Sequence, residues 1–65
     1  MSEKLLFTIA QAGEALGLGR SKLLELVYAG EIESLTVGRR RYIRREELAA
    51  FVERRQEATR EAAAG

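Results

Sequence analysis

The sequence of 65 residues contains neither cysteine nor histidine. A chain without cysteine forms no disulfide and no thiolate metal site, and the missing histidine removes the commonest metal ligand and general base. No apolar run approaches the roughly 20 residues that a membrane-spanning helix needs, and the N-terminal residues do not resemble a secretory signal. We therefore expect a single cytoplasmic domain with no cofactor, no metal and no membrane contact.

Catalytic arrangements are missing as well. Glu46 and Glu47 are adjacent, so on a helix their side chains would point about 100° apart and could not form a facing acid pair. Ser21 has no histidine to act as its base, and no phosphate-loop pattern of glycines with lysine occurs. The sequence therefore predicts a protein that is not an enzyme.

Positive charge is concentrated in one short segment. The formal net charge is only +1, but residues 38–45 hold five arginines and no acid. The rest of the chain holds six basic and ten acidic side chains. A basic segment focused in this way indicates an anionic partner more strongly than diffuse charge does.

A first short helix is predicted from Ile9 to Leu16. Thr8 and Gln11 can form a capping box at its start, and Gly17 can end it in the left-handed conformation. Gly13 inside the helix costs roughly 1 kcal/mol relative to alanine. The close approach of another backbone is one explanation for a glycine at that position.

A second short helix follows at residues 20–29, after a tight link at residues 17–19. Leu23, Leu26 and Val27 form its apolar stripe, and the glycine at position 30 can end it. Two short helices joined by a tight turn that contains glycine predict a helix-turn-helix.

A β-hairpin comes next, because the apolar period changes from 3.6 to 2 after the second helix. A two-residue loop would place Ile43 on the face opposite to Leu35. A three-residue loop, residues 38–40, would pair Leu35 with Ile43 and Val37 with Arg41. This register puts the three apolar side chains on one face, so we prefer it.

A third helix is predicted to begin at Arg45, and residues 58–65 show no apolar stripe. We expect one domain at residues 1–57 and a flexible tail at residues 58–65. The class is mainly α with a small β-hairpin: a winged helix-turn-helix of three helices and a two-stranded wing. The predicted core contains either Leu5 or Phe7, together with Ile9, Leu16, Leu18, Leu23, Leu26, Val27, Ile32, Leu35, Val37, Ile43, Leu48, Phe51 and Val52.

Two blocks of the sequence resemble the excisionase-family helix-turn-helix, a compact branch of the winged-helix architecture of MerR-type regulators. The first block joins FTIAQA at 7–12, LGLGRSKL at 16–23 and GEI at 30–32. The second block, VGRRRYIRREELAAF at 37–51, resembles the family's wing and following helix. Three positions depart from the usual pattern, where serine, an aromatic residue and proline are frequent: Gly19, Leu24 and Arg44.

The resemblance implies a protein that binds and bends double-stranded DNA. Members of this family assist site-specific recombination or control transcription, so we expect a nucleoid-associated excisionase that acts with a site-specific integrase or recombinase. A small MerR-like transcription regulator that binds direct repeats is the first alternative. An adaptor that binds a recombinase, with DNA contact incidental, is the second.

Each exposed feature has a candidate role on DNA. The start of the second helix would enter the major groove, with the candidate residues Arg20, Ser21, Lys22 and Glu25. The wing would enter the minor groove, where a narrow A·T tract attracts arginine, with the candidate residues Gly38, Arg39 and Arg40. Candidate phosphate contacts are Thr8, Tyr28, Arg41, Tyr42, Arg44 and Arg45.

Some of these candidates have a second interpretation. Arg41 could lie along the core and pair with a glutamate, and Tyr28 and Tyr42 could pack on the hairpin. Arg44 and Arg45 could serve only to cap the start of the third helix.

The C-terminal part of the sequence bears on self-association. No heptad stripe continues past Val52, which argues against a coiled-coil dimer. We expect a monomer in solution, several copies of which bind head-to-tail on DNA.

Overall fold

The computed structural model describes residues 4–64 and has the predicted winged helix-turn-helix architecture. The elements follow in the order β1 (Leu6–Thr8), α1 (Ile9–Leu16), α2 (Arg20–Tyr28), β2 (Leu35–Val37), β3 (Arg40–Arg44) and α3 (Arg45–Ala64). The sheet is antiparallel with the strand order β1-β3-β2, and the β2–β3 hairpin is the wing.

Local capping signals place the ends of α1 where the sequence predicts them. The Gln11 amide donates to Thr8 Oγ1 and the Thr8 amide donates to Gln11 Oε1, each at 3.1 Å. Gly17 ends the helix with a φ of 74°. α2 begins at Arg20 as predicted and ends at Tyr28, one residue earlier than predicted.

Gly13 allows α1 to approach the link that follows it. The Gly13 carbonyl accepts a hydrogen bond of 2.7 Å from the Leu18 amide. A Cβ added at Gly13 would lie 2.9 Å from the carbonyl oxygen of Leu18 and 3.4 Å from that of Gly19. The close approach of another backbone therefore explains the glycine in this helix.

Eight apolar side chains form the buried core: Ile9, Ala12, Leu23, Leu26, Ile32, Ile43, Leu48 and Phe51. Phe7, rather than the exposed Leu5, packs against this core. The prediction of Val37 and Val52 as core residues was wrong, since their side chains are 52% and 49% exposed. Val37 lies at the end of β2 beside the wing turn, and Val52 lies just beyond the last buried residue of α3.

β1 was not predicted, and it makes the sheet three-stranded. Phe7 of β1 lies opposite Ile43 of β3, and the Arg45 amide donates to the Leu5 carbonyl at 3.0 Å. A strand of three residues is too short to show the period-2 alternation by which strands are found in a sequence.

The predicted three-residue loop of the wing was wrong. The observed register pairs Leu35 with Tyr42 rather than with Ile43, so the loop consists of Gly38 and Arg39 alone. Gly38 has a φ of 64°. A glycine with positive φ at the first of two loop positions fits a type II′ turn, whose twist matches that of paired strands.

The pairing of β1 with β3 explains why the observed register is favoured. Ile43 is fully buried and lies opposite Phe7. The predicted register gave Ile43 apolar packing partners by placing Leu35 and Val37 on its face of the sheet. In the structure Phe7 of β1 is the apolar partner of Ile43. Leu35 and Val37 are therefore not needed on that face, and Leu35 is half-buried and Val37 exposed.

α3 begins at Arg45 as predicted and continues to Ala64. The described part of the predicted loose tail, residues 58–64, is therefore helical, and residue 65 lies outside the described residues. Leu48 and Phe51 are the buried residues of α3, and every described residue after Phe51 is exposed. Between residues 4 and 64, no helix is long and apolar enough to cross a membrane.

Two contacts tie α3 to the loop that joins α2 and β2. The Arg54 guanidinium donates to the Glu31 carbonyl at 2.5 Å. The Glu33 amide donates to the Glu47 carboxylate at 3.2 Å. The loop that leads into the wing is thereby held against the start of α3.

Candidate nucleic-acid interface

An open cleft of about 630 Å³ lies between the start of α1, one flank of α2 and the wing. The residues that line this cleft are Thr8, Ile9, Ala10, Arg20, Leu24, Tyr28, Arg39, Arg40 and Arg41. Four of them are arginines and none is acidic, so the cleft is a focus of positive potential. The fold thus brings the basic segment of the wing to the helix-turn-helix.

α2 presents one buried side, one solvent-facing side and two flanks. Leu23 is fully buried against the core. At about 100° per residue, Ser21 and Glu25 lie on the side opposite Leu23, and both are exposed. Arg20 lies on the flank that lines the cleft, whereas Lys22 lies on the other flank.

Lys22 belongs to a different surface from the other candidate residues of α2. Its Nζ lies 3.9 Å from Glu25 Oε1. It also lines a separate depression, here called the apolar groove, between the α1–α2 link and α3. The residues of the apolar groove are Leu16, Leu18, Lys22, Leu26, Phe51, Val52, Arg55, Gln56 and Thr59.

The three consecutive arginines of the wing lie in different directions. Arg39 is in the turn, after Gly38. Successive side chains of a strand point to opposite faces, so Arg41 shares the face of the buried Ile43 and Arg40 lies on the other face. The wing therefore directs Arg41 towards the helices.

Arg41 contacts the last residue of α2. The Arg41 Cζ lies 5.5 Å from the centroid of the Tyr28 ring, within the distance of a cation–π interaction. The Tyr28 side chain is 74% exposed, and Arg41 is exposed as well. Arg41 therefore lies over Tyr28 rather than along the core, and Tyr28 packs on the hairpin through this contact.

Residues at the start of α1 whose backbone donors are not used by the helix also line the cleft. The capping box uses the amides of Thr8 and Gln11. The donors of the first turn that the box does not use are the amides of Ile9 and Ala10, and both residues line the cleft. Together with the positive end of the helix dipole, they favour an anion at this position.

Three candidate phosphate contacts, Tyr42, Arg44 and Arg45, lie outside the lining of the cleft. Tyr42 is half-buried in β3. The Arg44 Nη2 lies 3.5 Å from Glu47 Oε2, and Arg45 is half-buried at the start of α3. Their predicted phosphate contacts would have to be made beside the cleft rather than in it.

Ala10 and Leu24 line the cleft but were not predicted as residues of this site. Leu24 is half-buried and lies four residues from both Arg20 and Tyr28, so the three share one flank of α2. That spacing was the available signal for Leu24. Ala10 carries no polar side chain, so no pattern of polar or charged residues points to it. Among residues 4–64, no group of His, Cys, Asp and Glu could hold a metal ion.

Comparisons with known proteins identify the family of the chain. Residues 6–56 match a protein family described as a helix-turn-helix domain. A protein of Saccharopolyspora erythraea described as a "Probable excisionase" is 47% identical over 45 residues, which are 69% of this chain and 46% of that protein. The chain thus spans about half the length of the curated relative that it matches. No solved structure matches the chain.

Proposed function

The chain belongs to the helix-turn-helix domain family, and on this premise we propose that it is a DNA-binding protein acting as the excisionase of a site-specific integrase. The observation that carries the proposal is the cleft, in which four arginines meet without a carboxylate beside the exposed side of α2. Such a surface attracts the phosphate backbone of DNA. The identity with a protein described as a probable excisionase supports recombination as the setting.

In the proposed complex, α2 lies in the major groove of the duplex. A helix fits this groove, where each base pair displays a distinct pattern of donors and acceptors. Ser21 and Glu25 face the base edges, and Arg20 and Lys22 reach outward from the two flanks. Arginine can bind guanine O6 and N7 together, and a glutamate can accept from cytosine N4.

The wing lies in the adjacent minor groove in this proposal. Gly38 keeps the turn narrow, and Arg39 stands at its tip. A narrow A·T minor groove concentrates negative potential and attracts arginine. The proposed phosphate contacts are Thr8 and Arg41 in the cleft, and Tyr42, Arg44 and Arg45 beside it, whereas Tyr28 lies against Arg41.

Binding titrations at several salt concentrations test the wing contact. Arg39→Ala is expected to weaken binding to every duplex and to lower the slope of log K against log salt by about 1, because one phosphate is no longer neutralised. The matched control is Arg60→Ala, which removes the same charge from an exposed site on α3. Its slope should equal that of the wild type.

The titrations have two contradicting outcomes. Equal slopes for Arg39→Ala and the wild type contradict the wing contact. No complex at low salt with genomic or random duplexes contradicts DNA binding itself.

We further propose that several copies bind head-to-tail on direct repeats and bend the duplex. Footprinting at increasing protein concentration should show protection that extends by one repeat at a time. Protection of one isolated site at every concentration would contradict this arrangement.

An excision assay with the cognate integrase tests the biological role. The chain is expected to raise the yield of excision, and a variant with both Arg39→Ala and Arg40→Ala is expected not to. Unchanged excision together with altered transcription of a neighbouring promoter would instead assign the chain a regulatory role.

A further inference from the structure

We propose that Tyr28 is a positioning residue, which holds Arg41 by a cation–π contact and thereby sets the distance between α2 and the wing. The inference rests on the proposed function, because the distance matters only if α2 and the wing contact the same duplex. It assigns Tyr28 a role through its ring rather than through its hydroxyl.

The position of Arg41 on β3 is the first observation behind this inference. Arg41 pairs with Thr36 and shares the face of Ile43, which is fully buried against the helices. Arg41 is therefore directed towards α2, whereas Arg39 lies in the turn and Arg40, which also lines the cleft, has its side chain on the opposite face of the strand. Residues two apart on a strand share a face, so the burial of Ile43 sets the direction of Arg41.

The position of Tyr28 is the second observation. Tyr28 is the last residue of α2, and its ring centroid lies 5.5 Å from the Arg41 guanidinium carbon. The ring is 74% exposed, so it contributes little to the core. Tyr28 is a large aromatic side chain at an exposed position, and its ring lies against the wing arginine Arg41. This indicates that the role of Tyr28 is the contact with Arg41.

The composition of the cleft explains why an aromatic ring suits this position. No carboxylate lines the cleft, so an ion pair does not compete there for the charge of Arg41. A ring face attracts a guanidinium without neutralising it. Arg41 can thus be held in place and still offer its full charge and its N–H donors to a phosphate.

The geometry of the duplex gives this contact a consequence. If α2 lies in the major groove and the wing in the neighbouring minor groove, one sugar–phosphate strand must run between them. The cleft is the space between α2 and the wing, and Arg41 and Tyr28 both line it. Fixing Arg41 against Tyr28 therefore fixes how far apart the two groove contacts are along the DNA.

A double-mutant cycle measured by fluorescence anisotropy tests the inference. Tyr28→Ala is expected to weaken binding by about two- to fivefold, the range of an exposed cation–π contact, whereas Tyr28→Phe is expected to bind like the wild type. In an Arg41→Ala background, Tyr28→Ala should have no further effect. Arg41→Lys keeps the charge but loses the planar group, so Tyr28→Ala should have less effect there than in the wild type.

Two readouts separate positioning from a general loss of contact. Hydroxyl-radical footprints of Tyr28→Ala should lose protection on the wing side and keep it where α2 binds. In the free protein, the ring current of Tyr28 should shift the Arg41 side-chain resonances, and this shift should vanish in Tyr28→Ala. Melting curves followed by circular dichroism should match the wild type, because both side chains are exposed.

Several results would overturn the inference. A Tyr28→Phe variant as weak as Tyr28→Ala would show that the hydroxyl binds the DNA. Equal effects of Tyr28→Ala with and without Arg41 would show that the two residues act independently. A wild type that binds no duplex overturns the proposed function as well, whereas a wild type that binds no better than Tyr28→Ala overturns this inference alone.

Discussion

The missing side chain of Gly13 decides how closely α1 approaches the link to α2. Gly13→Ala is expected to lower the free energy of unfolding by about 1–3 kcal/mol, the usual cost of overpacking. Alanine is the better helix former by roughly 1 kcal/mol, but its Cβ would meet a backbone carbonyl at 2.9 Å, which cannot rotate away as a side chain can. Urea denaturation followed by circular dichroism measures the change.

The control for this substitution is the reverse change on the exposed side of the same helix. Ala15 is exposed, so Ala15→Gly reports helix propensity alone and should cost about 1 kcal/mol. A Gly13→Ala variant more stable than the wild type by a similar amount would contradict the close backbone approach.

Residue identity alone predicted the basic segment but not the contacts of each arginine. The concentration of positive charge at residues 38–45 is a local property, given by the number of arginines in the sequence of that segment. Alternation along β3 puts Arg41 on the face of Ile43 in the predicted and the observed register alike, but what Arg41 contacts depends on how α2 packs against the wing. The contact between Arg41 and Tyr28 was for that reason not predicted, although packing of Tyr28 on the hairpin was one of its two interpretations.

At the scale of elements, helix starts were predictable and strand pairing was not. Both ends of α1 and the starts of α2 and α3 lie where they were predicted, since the hydrogen bonds of a helix join residues close in the sequence. β1 has three residues, and its pairing with β3 joins positions more than 30 residues apart. The register of the wing was wrong because it was inferred without that third strand.

Two substitutions in the wing distinguish the observed register from the predicted one. Ile43 is fully buried and Val37 is 52% exposed. Ile43→Val is expected to cost about 0.5–1.5 kcal/mol, whereas Val37→Ala should stay within about 0.5 kcal/mol of the wild type. Chemical denaturation of both variants provides the comparison.

The register with the three-residue loop predicts the opposite effect of Val37→Ala on stability. There Val37 and Ile43 share one buried face, so removing two methyl groups from Val37 should cost at least as much as removing one from Ile43. A larger loss for Val37→Ala than for Ile43→Val would contradict the observed pairing.

At the scale of the whole molecule, α2 separates two surfaces of different character. The cleft on one flank is lined by four arginines, whereas the apolar groove on the other is lined mainly by aliphatic and aromatic side chains. The first surface fits a polyanion, and the second does not. The site was predictable to the extent that it is built from the wing, Thr8 and the charged residues of α2, but the places of Ala10 and Leu24 in it required the fold.

Mapping the DNA-bound face by NMR tests the central claim most directly. When a duplex is added to the labelled protein, the amide resonances of Ile9, Ala10, the exposed side of α2 and residues 38–41 should shift. Those of Leu16, Leu18, Phe51 and Val52 in the apolar groove should stay in place. Shifts gathered around the apolar groove, with none at residues 38–41, would contradict the account.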